Sequence, residues 1–213
     1  GASRGEGLGN KFLSHIRQVD AICQVVRCFE DENITHVAGK VDPIADIETI
    51  NLELVLADLE SVDKRIARVA KIAKTKDKDA VAELAVLEKI KPVLEDGQLA
   101  RTIEFTDEEL PIVKGLFLLT TKPMLYIANI SEDDVAEGGH NQYVQLVEEY
   151  AAKEDAEVVV ICARVEEEVA ELEEEEKQVF LEEMGIETSG LDILIQKAYH
   201  LLGLATYFTA GEQ

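Results

Sequence analysis

The chain has 213 residues, 46% of them hydrophobic and 31% charged, which excludes a disordered segment and supports a folded core. No apolar run approaches the ~20 residues that cross a bilayer, and the amino-terminal Gly-Ala-Ser-Arg-Gly-Glu-Gly lacks the apolar stretch of a signal peptide; the expectation is a cytoplasmic protein with no membrane partner. With 44 acidic and 21 basic residues the net charge is -23, which excludes nucleic-acid binding by the surface as a whole and argues against DNA as a partner.

Taken in chain order, residues 1–10 carry Gly1, Gly5, Gly7 and Gly9 around Ser3, a density that predicts a loop. Lys11 to Val19 reads as a short helix. The β-branched run Ala21 to Phe29 predicts a strand covered on both faces. Cys23, Cys28 and Cys162 form no metal-type pairing and read as reduced, buried thiols. A polar loop from Glu30 to Lys40 closes on Asp42-Pro43. From Asp46 to Ala73 the residues Leu52, Leu56, Leu59, Val62, Ile66, Val69 and Ala73 recur at three- and four-residue spacings, the seam of a coiled coil. The polar break Thr75-Lys76-Asp77-Lys78 and a second helix from Asp79 to Leu94 make this a helical hairpin. Thr106 followed by Glu109 marks a capped helix start.

Strand and helix then alternate. Pro123 to Asn129 and Glu157 to Ala163 read as buried strands, with a helix from Asn141 to Lys153 between them. Helices follow over Val165–Leu172, Glu174–Met184 and Gly190–Leu204, and Thr206-Tyr207-Phe208-Thr209 begins an extended segment. This alternation predicts an α/β fold, a parallel sheet with helices on both faces, interrupted by an α-helical hairpin insertion. The expected division is 1–45 and 106–205 for the α/β part, 46–105 for the hairpin, and 206–213 for the start of a linker.

In open parallel sheets ligands bind beyond the carboxyl ends of the strands. Phe29 to His36, Asn129-Ile130-Ser131-Glu132 and Cys162-Ala163 all fall at such ends. No phosphate-binding loop is present in these residues: Gly39-Lys40 is followed by Val41, and Ile34 stands where the first glycine of that motif belongs. Lys64, Arg65, Arg68, Lys71, Lys74, Lys76 and Lys78 form a local cationic stretch at the hairpin. The run from Glu166 to Glu176 reads as solvated helix face, and no metal ligand is assigned in this chain.

The segment Gly1 to Asn10 resembles the stretch after the second switch of the YchF (Obg-like) ATPases. Val26-Arg27-Cys28-Phe29-Glu30 and His36-Val37-Ala38-Gly39-Lys40 resemble that family's next strand and loop. Asn129-Ile130-Ser131-Glu132 is similar to its Asn-x-x-Glu base motif, and Thr206 to Gly211 to its junction before a C-terminal TGS domain. The resemblance implies a partial P-loop NTPase-like sheet, without the P-loop and without the C-terminal domain. It implies a ribosome-associated hydrolase that prefers ATP to GTP, with magnesium held by residues outside this chain and potassium as a further cation. By itself such a chain would be inactive. Asn129, Ile130 and Glu132 would meet the base, with Phe29, Cys162 and Ala163 around it. In GTPases the equivalent motif is Asn-Lys-x-Asp; here Ile130 replaces the lysine and the longer Glu132 the aspartate, which loosens the guanine contact. His36 would orient the attacking water as the catalytic residue. Gly1, Ser3, Gly5, Gly7 and Gly9 would belong to the switch-region loop, and the basic stretch from Lys64 to Lys78 would contact ribosomal RNA. The alternative reading is a non-catalytic binding module that docks through its hairpin.

Overall fold

The computed structural model describes residue 13, residues 15–30 and residues 40–203. His36, Gly1, Ser3, Gly5, Gly7, Gly9 and the segment 206–213 lie outside the described residues. The chain divides into two compact units. One joins the described residues up to Ile22 with Ile47–Lys122; the other joins those of Cys23–Asp46 with those from Pro123 on. Residues 106–122, assigned from sequence to the α/β part, therefore belong to the unit of the hairpin.

The first unit is a helical arm. Its long helix α1 (Pro43–Ala73) starts earlier than the apolar pattern suggests. Asp42 Oδ1 accepts from the Ala45 N–H at 3.0 Å, and Pro43 follows at the first helical position, where its missing N–H has no partner to lose. Helix α2 (Lys78–Glu95) is capped by Asp77, whose side chain accepts from Ala80 N at 2.8 Å. The ion pair Lys91–Asp63 at 2.7 Å and the pair Arg65–Glu83 cross from one helix to the other in antiparallel register about the bend. Val55, Val62 and Val69 of α1 pack with Val86, Leu87, Ile90 and Leu94 of α2, and Leu59, Ile66 and Ala73 flank them. The seam thus holds from Leu59 onward. Leu52 and Leu56, expected in it, are exposed. Helix α1 has 31 residues and α2 only 18, so α2 runs out before it reaches them. The predicted cap precedes α3 (Leu110–Leu116): Thr106 N donates to Glu109 Oε2 at 2.9 Å, and Glu109 N donates to Thr106 Oγ1 at 3.3 Å.

The base of the arm is tied by one buried carboxylate. Asp58 is fully buried and accepts from Leu119 N (2.9 Å), Thr120 N (2.7 Å), Thr120 Oγ1 (2.7 Å) and Arg17 Nη1 (3.0 Å). Arg17 Nη2 also donates to the Ala57 carbonyl at 3.1 Å. Four donors, one of them cationic, offset the desolvation of the carboxylate.

In the second unit the described strands form one sheet in the order β1 (Ile22–Arg27), β2 (Met124–Asn129), β3 (Glu157–Ile161). β2 and β3 are parallel, with Leu125 opposite Glu157 and Asn129 opposite Ile161. β2 is buried nearly throughout, as its apolar sequence predicts. β1 is different: Gln24 and Val26 are buried, whereas Cys23 is exposed and Val25 is 64% exposed. Among the described strands it stands at the end of the order, and among the described residues only one of its faces is covered; Cys23, expected to be buried, is exposed there. β3 is only half-buried, with Val159 as its one fully buried residue. After β2 come α4 (Glu132–Ala136) and α5 (Gln142–Lys153), which packs against β2 and β3. After β3 come α6 (Ala163–Glu171), α7 (Glu174–Glu183) and α8 (Gly190–Leu201), the last also packed against β3.

Candidate functional site

The carboxyl ends of the strands are knotted together at Asn129. Its carbonyl accepts from Cys28 N at 2.8 Å, which ties the end of β1 to the end of β2. Its side-chain Oδ1 accepts from Ala163 N at 2.9 Å, which ties β2 to the first residue of α6. The next residue, Ile130, donates its N–H to the Ile161 carbonyl at 2.9 Å. With Oδ1 committed to the backbone, Asn129 keeps two Nδ2 hydrogens as donors. Among the described residues no acceptor engages them.

Ser131 caps α4. Its Oγ accepts from Asp134 N at 3.2 Å, and its own N–H donates to Asp134 Oδ2 at 3.2 Å. This box places Glu132 in the first turn, where the helix dipole favours a carboxylate. Glu132 Oε1 pairs with Arg164 Nε at 3.1 Å. No sequence motif marks Arg164; its position directly after Cys162-Ala163 is the one local cue.

Ile130 is 4% exposed. After α4 the chain turns back through Gly138 (φ +93°) and Gly139 (φ +77°), and a Cβ built on Gly139 would lie 3.6 Å from Ile130 Cδ1 and 3.9 Å from a Val160 methyl. The side chain is therefore seated against this turn. It is also part of the wall of a cleft of about 400 Å³, with Cys162, His140, Glu166, Gly190 and Ile193 among its other lining residues. Cys162 is buried and Ala163 exposed. Phe29 is half-buried; the Arg27 guanidinium lies 4.9 Å from its ring centroid, and Arg27 Nε donates to the Phe29 carbonyl at 3.1 Å. The site residues expected at strand ends thus fall as Asn129 and Ala163 joined by a hydrogen bond, Glu132 paired with the neighbouring Arg164, Ile130 and Cys162 in the cleft wall, and Phe29 beside Arg27.

Cys28 next to this cluster is fully buried. Desolvation, helped by the Asp134 carboxylate, pushes its thiol up to about 12, so it stays protonated and unreactive near neutrality. Asn141 Nδ2 donates to the Cys28 carbonyl at 2.7 Å while Asn141 Oδ1 caps α5, so one amide joins the end of β1 to that helix. Glu166, read from sequence as part of a solvated face, is a structural cap instead. Its carboxylate accepts from Gly190 N at 2.6 Å and Leu191 N at 3.1 Å, closing the start of α8.

The basic stretch of the arm separates into two groups. Lys64 pairs with Glu60 and Arg65 with Glu83, and together with Arg68 they line a groove of about 300 Å³ floored by Leu87, Leu116 and Leu118. Lys71, Lys74, Lys76 and Lys78 are exposed around the bend between α1 and α2, with Lys76 at φ +61°. No group of three or more metal-ligating side chains converges among the described residues.

No protein-family model matches the chain. Over 213 residues it is 67% identical to the ribosome-binding ATPase YchF of Bacillus subtilis (strain 168), a match covering 100% of this chain and 58% of that protein. It is 54% identical over 211 residues to the protein of the same name from Haemophilus influenzae, covering 99% of this chain and 57% of the relative. Among solved structures it resembles the Schizosaccharomyces pombe YchF GTPase with a TM-score of 0.84 at 36% identity, over 99% of this chain and 57% of the other. The chain thus spans somewhat more than half the length of these relatives.

Proposed function

We propose, since this chain belongs to the YchF family, that it forms the later part of the nucleotide-binding domain of a ribosome-associated nucleotide hydrolase, with a helical arm inserted in it. The nucleotide is ATP in preference to GTP. The observation that carries this reading is the clasp at the ends of β2 and β3, where Asn129 binds the backbone with its oxygen and keeps its amide hydrogens for a ligand. Those hydrogens suit an acceptor nitrogen on a purine edge. Glu132, one methylene longer than aspartate, stands close by as an acceptor. Ile130 and Cys162 supply an apolar wall, and Ala163 and Phe29 border the same strand ends.

The rest of the chemistry belongs to the whole protein. His36 would orient water in line with the γ-phosphate, in the loop following Phe29. The glycine-rich segment with Gly1, Ser3, Gly5, Gly7 and Gly9 would move with the nucleotide state. Magnesium, held by residues outside this chain, would neutralise charge on the phosphates; potassium is a further candidate cation. The cytoplasmic ribosome is the expected partner, met by the cations of the arm bend. Because the phosphate cradle is not among these residues, the 213-residue chain alone should hydrolyse neither ATP nor GTP.

The decisive experiment is nucleotide binding by the full-length protein carrying Asn129→Ala. Loss of one charge-neutral hydrogen bond and of the Ala163 tie should weaken ATP affinity about tenfold. Unchanged affinity would place the base elsewhere.

A further inference from the structure

Arg164 is the second residue of α6. Its Nε lies 3.1 Å from Glu132 Oε1, with Glu168 Oε1 4.0 Å away as a more distant partner. The residue before it, Ala163, is held through its N–H by Asn129. Both polar residues assigned to the base are therefore tied to the same first turn, one by a backbone hydrogen bond and one by a guanidinium.

We propose that Arg164 determines base specificity: by pairing with Glu132 it draws one carboxylate oxygen toward α6 and away from a parallel, two-oxygen grip on the base edge, which suits adenine and disfavours guanine. The inference rests on the reading that this edge binds a purine base. Guanine presents two parallel donors, N1–H and the 2-amino group, and these are best met by both oxygens of one carboxylate. With the carboxylate drawn toward Arg164, guanine's two donors compete with the guanidinium for it, and a donor that leaves water without a well-placed acceptor costs affinity. Adenine carries one donor group on that edge, its 6-amino group, and its N1 is an acceptor that needs no carboxylate. Arg164 is 72% exposed on its side chain, so water and salt weaken the pair, and the discrimination is modest and salt-dependent.

The test uses the full-length protein and displacement of a fluorescent ATP analogue by ATP and by GTP. Arg164→Met should move the affinity ratio toward GTP by roughly fivefold, the low end of a bidentate contact. Arg164→Lys, which keeps a charged donor, should hold most of the original ratio. Added salt should erode the ATP preference of the wild type and leave that of Arg164→Met unchanged, a response that a purely structural role would not produce. An unchanged ratio in Arg164→Met, with Asn129→Ala still weakening both nucleotides, would overturn the role of Arg164 and leave the base edge standing. Asn129→Ala without effect on either nucleotide would overturn the base edge itself, and this inference with it. Should Arg164→Met fail to fold, the wild-type salt series decides, and a ratio insensitive to salt overturns the proposal.

Discussion

Asp58 in the arm and Glu166 in the sheet unit both use a carboxylate to hold backbone N–H groups in place. Asp58 is fully buried and surrounded by Arg17 and three donors from Leu119 and Thr120. Glu166 remains partly exposed at the wall of a cleft and holds only Gly190 N and Leu191 N. Asn129 and Glu132 follow Glu166 in being half-exposed. The arm thus spends its polar anchor wholly on its own fold, in a dry environment where nothing else can reach it. The sheet unit ties its loops with groups that keep part of their hydrogen-bonding capacity open to solvent, and hence to a ligand. Chemically similar anchors serve architecture in one region and, on the proposed reading, leave a binding edge in the other.

The largest test of this contrast is Asp58→Ala. It strands the Arg17 guanidinium and the Leu119 and Thr120 N–H groups, and should cost about 3–5 kcal/mol of stability in urea unfolding followed by circular dichroism. A loss under ~1 kcal/mol would mean that water replaces the carboxylate, and the contrast between a dry and a wet anchor would collapse. Next comes Gly190→Ala. Gly190 needs space, not an unusual φ: a Cβ there would lie 2.5 Å from Ile161 Cγ2 and 2.7 Å from Glu166 Oε1. Overpacking of this kind costs about 1–3 kcal/mol. It should also displace the Glu166 cap and reshape the cleft, so nucleotide affinity of the full-length protein should fall together with the melting temperature. Loss of stability with affinity untouched would separate the cleft from the site.

The hairpin was legible because its seam is long and its bend polar; from Leu59 to Ala73 the spacing alone places the buried residues correctly. The seam misled only where α2 ends and tertiary contact no longer enforces the pattern, at Leu52 and Leu56. β2 could be read because it is central and apolar throughout. β1 could not, because a strand with Val25 and Cys23 exposed among the described residues has the same apolar letters as one covered on both faces. The local cap at Thr106 and Glu109 needed four residues of sequence and was readable. The ties Arg17–Asp58, Asn141–Cys28 and Glu166–Gly190 span 41, 113 and 24 positions, and no local spacing announces them. At the candidate site the motif Asn129 to Glu132 was visible, whereas its partner Arg164 depends on a contact between the first turns of α4 and α6.

The smallest stability effect is expected where the charge is densest, and it bears most directly on the partner. Lys71 and Lys74 lie at the carboxyl end of α1, where a helix dipole favours cations, but Lys78 opens α2, where the dipole disfavours them, and Lys76 sits between at a positive φ. Two of the four cations are thus placed without local electrostatic gain. Exposed charges of this kind contribute little to folding, so reversing Lys71, Lys74, Lys76 and Lys78 to glutamate should change stability by no more than ~0.5 kcal/mol per site. If the bend meets ribosomal RNA, the same quadruple variant of the full-length protein should lose co-sedimentation with ribosomes. Wild-type binding should also weaken with salt at about one unit of log–log slope per phosphate contact. The pairs Lys64–Glu60 and Arg65–Glu83 give the internal control, since those cations already have carboxylate partners on the arm; reversing Lys64 should affect binding less than reversing any lysine at the bend. A quadruple variant that still pellets with ribosomes as wild type does would show that the bend's charge merely solvates the arm, and would return the search for the ribosome contact to other surfaces.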